Sequence, residues 1–265
     1  MLLVESKELS ARVVALQILL NRDRAIAPKL VTDGSFGTKT GKAVDLFRDK
    51  VMHQSGPRLT ADPALWRFLL DRAKLQIVDA VDVTDPSLLA EIVPSISNWT
   101  DPIVLGGMSN GIAQLVAGVR ARARGEKSLL MLRLHGHGAP GLIAISHGSR
   151  RISPGIDPIA AQSILNLAVL PVLLPLLQQL GPLFCNFGFV ELHSCRVAEG
   201  GSGVGFVRKL ADALGVPVRA GLSKQSTANA FNLTGQTFTG CPGGQELIDW
   251  ALSRDEAMRK LSLLP

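Results

Sequence analysis

The chain has 265 residues, enough for one large domain or two smaller ones. Apolar residues make up 46% and charged residues 19%, a balance that supports a packed core and excludes wholesale disorder. The formal charge is +6, yet outside Arg120, Arg122, Arg124 and Lys127 the basic residues are scattered, so no nucleic-acid surface is expected.

The opening stretch, MLLVESKELSARV, has no basic region followed by an apolar run. No cleaved secretory signal is expected, which leaves both the cytoplasm and a non-classical route to the cell envelope open. Residues 1–75 read as a small helical domain. Val13, Leu16, Gln17, Leu19 and Leu20 recur at helical spacing. The loop Asp33-Gly34-Ser35-Phe36-Gly37-Thr38-Lys39-Thr40 follows, in which Asp-Gly makes a turn and the threonines cap the next helix. That helix carries Ala43, Val44, Leu46 and Phe47, and a third carries Leu65, Trp66, Phe68 and Leu69. Residues 76–100 read as a linker holding a strand candidate, LQIVDAVDV, with turns at Asp85-Pro86 and Val93-Pro94.

From residue 101 to 265 short apolar runs alternate with helical patterns. PIVLGG, SLLMLRLHGHG, GLIAIS, FGFVELHSC and VPVRAG read as strands, and NGIAQLVAGVRAR and GVGFVRKLADALG as helices, the second stopped by Gly215. ILNLAVLPVLLPLLQQL is too short for a membrane span and carries Pro171 and Pro175, so it reads as a buried, kinked helix. The alternation predicts an α/β fold: a mostly parallel sheet with helices on both faces, preceded by the three helices. In such sheets chemistry sits at the carboxyl ends of the strands.

Two strands end in reactive residues. One ends in His135-Gly136-His137-Gly138-Ala139-Pro140-Gly141, the other in His193-Ser194-Cys195-Arg196. If the strands are neighbours, a histidine meets a cysteine. The cysteine attacks only as thiolate, and His137 can serve as its base. The backbone N–H groups of Gly138 and Cys195 are candidates for an oxyanion hole. The other cysteines, Cys185 and Cys241, fit buried apolar positions, and three cysteines without Cys-x-x-Cys spacing favour neither disulfides nor a zinc ribbon.

Together these motifs resemble the caspase-like cysteine peptidases of clan CD, most closely a bacterial caspase-like domain of unassigned function. The matching residues are Asn110-Gly111-Ile112, His137-Gly138-Ala139-Pro140-Gly141, Cys195-Arg196-Val197-Ala198, and Gly203 to Ala211 with Phe206 and Val207. The resemblance implies a cysteine endopeptidase acting on protein or peptide substrates through His137 and Cys195, with no metal and no cofactor. It implies a substrate pocket formed in part by residues 219–226, among them Arg219, Ser223 and Lys224. Metacaspases carry an acid two residues before the cysteine; here His193 stands there. The first 75 residues resemble the peptidoglycan-binding-like domain through Leu16, Gln17, Leu20, Asn21, Asp33, Gly34, Phe36, Gly37, Thr40, Ala43, Val44 and Phe47, which implies a wall-binding or docking module. Its usual second Asp-Gly turn is replaced by Leu59-Thr60-Ala61-Asp62-Pro63.

Other readings stay open from the residues. Cys195 fits a core cysteine as well as a nucleophile, which gives a catalytically silent scaffold for protein interaction. The same dyad serves an amidase or peptidase acting on peptidoglycan peptides. His135, His137, His147 and His193 invite a metal site, but no carboxylate is spaced as a partner. Gly136 to Gly141 fits Gly-x-Gly-x-x-Gly, yet a strand follows where a nucleotide site needs a helix.

Overall fold

The computed structural model describes residues 8–55, 59–147, 160–228 and 230–262. Its centre is a six-stranded sheet, mostly parallel, of β1 (Gln76–Asp82), β2 (Ile103–Leu105), β3 (Leu129–His135), β7 (Phe184–His193), β8 (Val218–Gly221) and β9 (Thr237–Gly240). The strand order is β2-β1-β3-β7-β8-β9, with the last pair antiparallel. A smaller antiparallel sheet joins β4 (Gly138–Ala139), β5 (Leu142–Ala144) and β6 (Ile164–Asn166).

Helices cover both faces. On one, α5 (Gly111–Arg122), α6 (Leu170–Leu177) and α7 (Gly200–Leu214) pack on Val78, Ala80, Leu132, Leu134, Val190, Leu192, Val218 and Ala220. On the other, α1 (Ala11–Asn21), α2 (Thr38–Val51), α3 (Pro63–Ala73) and α8 (Leu247–Ser262) share a core with Met131, Phe187 and Phe189. Alternation along the strands separates the two sets. α4 (Pro86–Ser97) lies on this second side, where Leu88, Ile92 and Ile96 meet Val81.

The three expected helices form, but they are a layer on the sheet and share its core. Residues 11 to 20 of α1 are all buried, Arg12 and Gln17 included. Each fully buried Val, Leu or Ile contributes roughly 1.5–3 kcal/mol. The motif residues of this segment serve its own turn. Gln17, buried, donates to Asp33 Oδ1 at 2.9 Å and accepts from Gly34 N–H at 2.9 Å, holding the loop that leads into α2. Gly37, not a threonine, occupies the N-cap of α2, and Thr40 instead contacts Gln17 Nε2 at 3.2 Å.

Residues 76–100, read from sequence as a linker, hold β1 and α4, and β1 lies inside the sheet between β2 and β3. Its carboxylates, Asp79 and Asp82, mask the apolar run, yet both are buried. The long apolar stretch is not one helix. It begins as β6, continues as α6 and ends in a 3-10 turn at Gln178–Leu183. No helix among the described residues is long and apolar enough to cross a membrane.

Candidate active site

β3 and β7 are neighbours, paired in parallel with His135 opposite His193. His137 and Cys195 each follow two residues beyond these strand ends, so both emerge at one carboxyl edge. They line the same cavity, about 200 Å³ in volume. Two glycines make the approach possible. A Cβ on Gly136 would stand 2.3 Å from Ala144 O, and one on Gly138 would stand 2.8 Å from Cys195 O and from Ser194 Cβ. The histidine loop is tied down by Ala144 N–H donating to His137 O at 2.8 Å. Gly141 N–H donates to Val197 O at 2.9 Å, which fixes this loop against the cysteine loop.

A third residue joins them. Asp85 is the N-cap of α4: its Oδ1 accepts Ser87 N–H at 2.9 Å while its Oδ2 stands 2.7 Å from His137 Nε2. The Ser87 N–H and then His137 hold the Asp85 carboxyl down to about 2, so it stays ionised at any ordinary pH. An ionised carboxylate only accepts, so Nε2 of His137 carries a proton toward Asp85.

Cys195 is partly exposed, and Gln225 N–H donates to its Sγ at 3.4 Å. The thiol in turn faces Gln225 O at 3.8 Å. Cys185 and Cys241 differ: burial pushes each thiol up to about 12. Leu88, Ile92 and Ala230 form an apolar wall of the cavity, and Gln225, Ser226, Thr227 and Asn232 add uncharged polar groups.

None of the three residues expected to bind substrate lines this cavity. Arg219 points into the sheet face, 3.0 Å from Glu8 Oε1 and 3.7 Å from Glu191 Oε1. Ser223 Oγ is 3.5 Å from Thr234 O, and Lys224 is exposed. The chain reaches the cavity just beyond them, at Gln225.

Beneath the site lies a ladder of charges. Asp79, Arg133, Glu191 and Arg219 occupy matching registers on β1, β3, β7 and β8, so negative and positive alternate across four strands. Arg133 binds Asp79 at 2.6 and 2.8 Å. Arg12 of α1 reaches in to bind both oxygens of Glu191, and also Phe231 O and the Asn232 side chain. The ladder therefore joins α1 to the cavity wall.

His135 and His193 occupy the next step of the ladder, rings 4.9 Å apart. His135 Nε2 stands 2.9 Å from Asp79 Oδ1, and His193 Nε2 stands 3.0 Å from Glu191 Oε2. Both are engaged by carboxylates below them, and His147 stands in a loop, its N–H donating to Asp82 at 3.1 Å. Among the described residues no group of three ligating side chains is arranged to hold a metal.

Burial lowers the His193 pKa to about 3 and lowers that of His135, against the raising effect of their carboxylate partners. Unfolded histidines titrate near 6.5. Between about pH 6.5 and 3 the unfolded chain therefore binds more protons, and stability falls as pH falls through that window. Urea midpoints are expected to drop from pH 7 to pH 5, and His193→Gln should flatten the drop; equal midpoints in the parent protein would contradict neutral, buried rings.

Compared with known proteins, the chain matches no family model, no curated protein and no solved structure.

Proposed function

We propose that the protein is a caspase-like cysteine endopeptidase in which Cys195 is the nucleophile, His137 the base and Asp85 the residue that orients it. The observation that carries this reading is the meeting of His137 and Cys195 at one cavity, from the ends of adjacent parallel strands. Cys195 gives its proton to His137 Nδ1, and the thiolate attacks the peptide carbonyl. Backbone N–H groups of Gly138 and Cys195 stabilise the oxyanion. His137 returns the proton to the leaving amine, and water then hydrolyses the thioester.

The cavity wall supports a preference for uncharged side chains next to the cleaved bond, because no lining residue among those described brings an unpaired charge. In this reading the N-terminal helices dock on the peptidase sheet rather than standing apart as a wall-binding module, since they share its core and Arg12 pairs with Glu191. An unfolded protein substrate, read by mass spectrometry of its new termini, tests the reading. Cleavage that disappears in Cys195→Ala is the expected result. Cleavage that persists in that variant, or intact substrate with the parent protein, contradicts it; purified peptidoglycan peptides cut in place of protein would shift the substrate to the cell wall.

A further inference from the structure

A second, larger cavity of about 560 Å³ lies behind residues 230–232. Ala230 and Asn232 line the cysteine cavity, whereas Phe231 lines this one, so a single short segment separates the two. The volume lies within the roughly 300–1,000 Å³ usual for small-molecule sites.

Four arginines surround it: Arg67, Arg122, Arg124 and Arg133. Two carboxylates also line it, Asp71 and Asp101, both well exposed. Asp101 pairs with Arg122 at 3.0 Å and Asp71 with Lys74 at 3.6 Å. Arg133 is balanced by the buried Asp79, which Thr100 Oγ1 also contacts at 2.5 Å. Neither Arg67 nor Arg124 pairs with a carboxylate among the described residues, although Arg67 Nη2 donates to Asn98 O at 3.0 Å. The cavity thus keeps a surplus of positive charge.

A second observation concerns Arg133. It is 1% exposed, and while its Nε and Nη2 bind Asp79, its Nη1 has no hydrogen-bond partner among the described residues. Buried donors are ordinarily satisfied. Leu70, Leu75 and Ile77 line the rest beside Trp99 and Phe231, with Gln76 and Thr100 as the uncharged polar groups. Arg67 already stacks on Trp99 at 4.5 Å, and Arg133 on Phe231 at 5.0 Å.

We infer that this cavity binds a small organic oxyanion, a carboxylate or phosphate ester with an apolar body. Its oxygens take the charge of Arg67 and Arg124 and the unused donors of Arg133, and its body lies against Trp99 and Phe231.

Calorimetry and tryptophan emission on the Cys195→Ala protein test this without reference to peptidase activity. Benzoate and phenyl phosphate are the probes, which separates the carboxylate from the phosphate; inorganic phosphate and benzyl alcohol are the controls. One or both probes are expected to bind at a single site and to change an emission signal that Trp99→Phe removes. The exposed pair Arg67→Glu and Arg124→Glu should weaken binding at least tenfold. Absence of saturable heat with both probes, binding of benzyl alcohol as tight as theirs, binding of inorganic phosphate as tight as that of phenyl phosphate, or affinity unmoved by the two reversals would overturn the inference.

Discussion

Replacing Glu191 with alanine is expected to destabilise the protein by about 3–5 kcal/mol, the usual result of removing one partner of a buried ion pair. Glu191 is fully buried and meets Arg12, Arg219 and His193. Its nearer partners hold it well below the usual carboxylate range, Arg12 foremost, although burial itself acts the other way. The alanine would leave the buried Arg12 guanidinium without its carboxylate. An attractive pair replaced whole is another matter: Arg12→Leu with Glu191→Leu should recover part of the loss, because both desolvated charges go together. Thermal unfolding measures the effect, with a fall of roughly 10 °C expected for the single variant. A shift within a degree or two would mean that the ladder contributes shape rather than stability.

On the proposed mechanism, Asp85→Asn lowers peptide hydrolysis by a factor on the order of 10² to 10⁴ without lowering stability. Asparagine caps a helix as well as aspartate does, so α4 keeps its start. The amide can donate to His137 Nε2, which favours the tautomer with the proton on Nδ1, and that ring cannot accept the proton of Cys195. The readouts are kcat on the unfolded substrate and the urea midpoint. A fall in both together would assign Asp85 to capping and not to catalysis.

That His137 and Cys195 lie at one sheet edge was legible because each sits just past an apolar strand, in a motif local to a few residues. Asp85 was not. Asp85-Pro86 reads as a turn, and nothing in the local pattern says that the turn lies beside a histidine 52 residues away. The alternation of strand and helix from residue 101 predicts the parallel sheet; LQIVDAVDV reads as a strand candidate, but Asp79 and Asp82 interrupt its apolar pattern, so its place inside the sheet did not show and the segment read as a linker. Buried carboxylates in a strand signal a partner, and Arg133 lies 54 residues on. Short strands fare worst: β9 has four residues, three of them only half-buried, and leaves no periodic trace. For α1 the signal was partly present: Val13, Val14, Leu16, Ile18, Leu19 and Leu20 leave only Arg12 and Gln17 as polar positions, and both are buried on partners distant in sequence.

Limiting iodoacetamide on the native protein, read by peptide mass spectrometry in the parent and in His137→Ala, tests the central claim most directly. The account predicts label at Cys195 while the buried Cys185 and Cys241 stay unmodified, and a collapse of the Cys195 rate in His137→Ala. Exposure by itself would survive that substitution, so Cys195 labelling at the same rate in both proteins would contradict an activated cysteine.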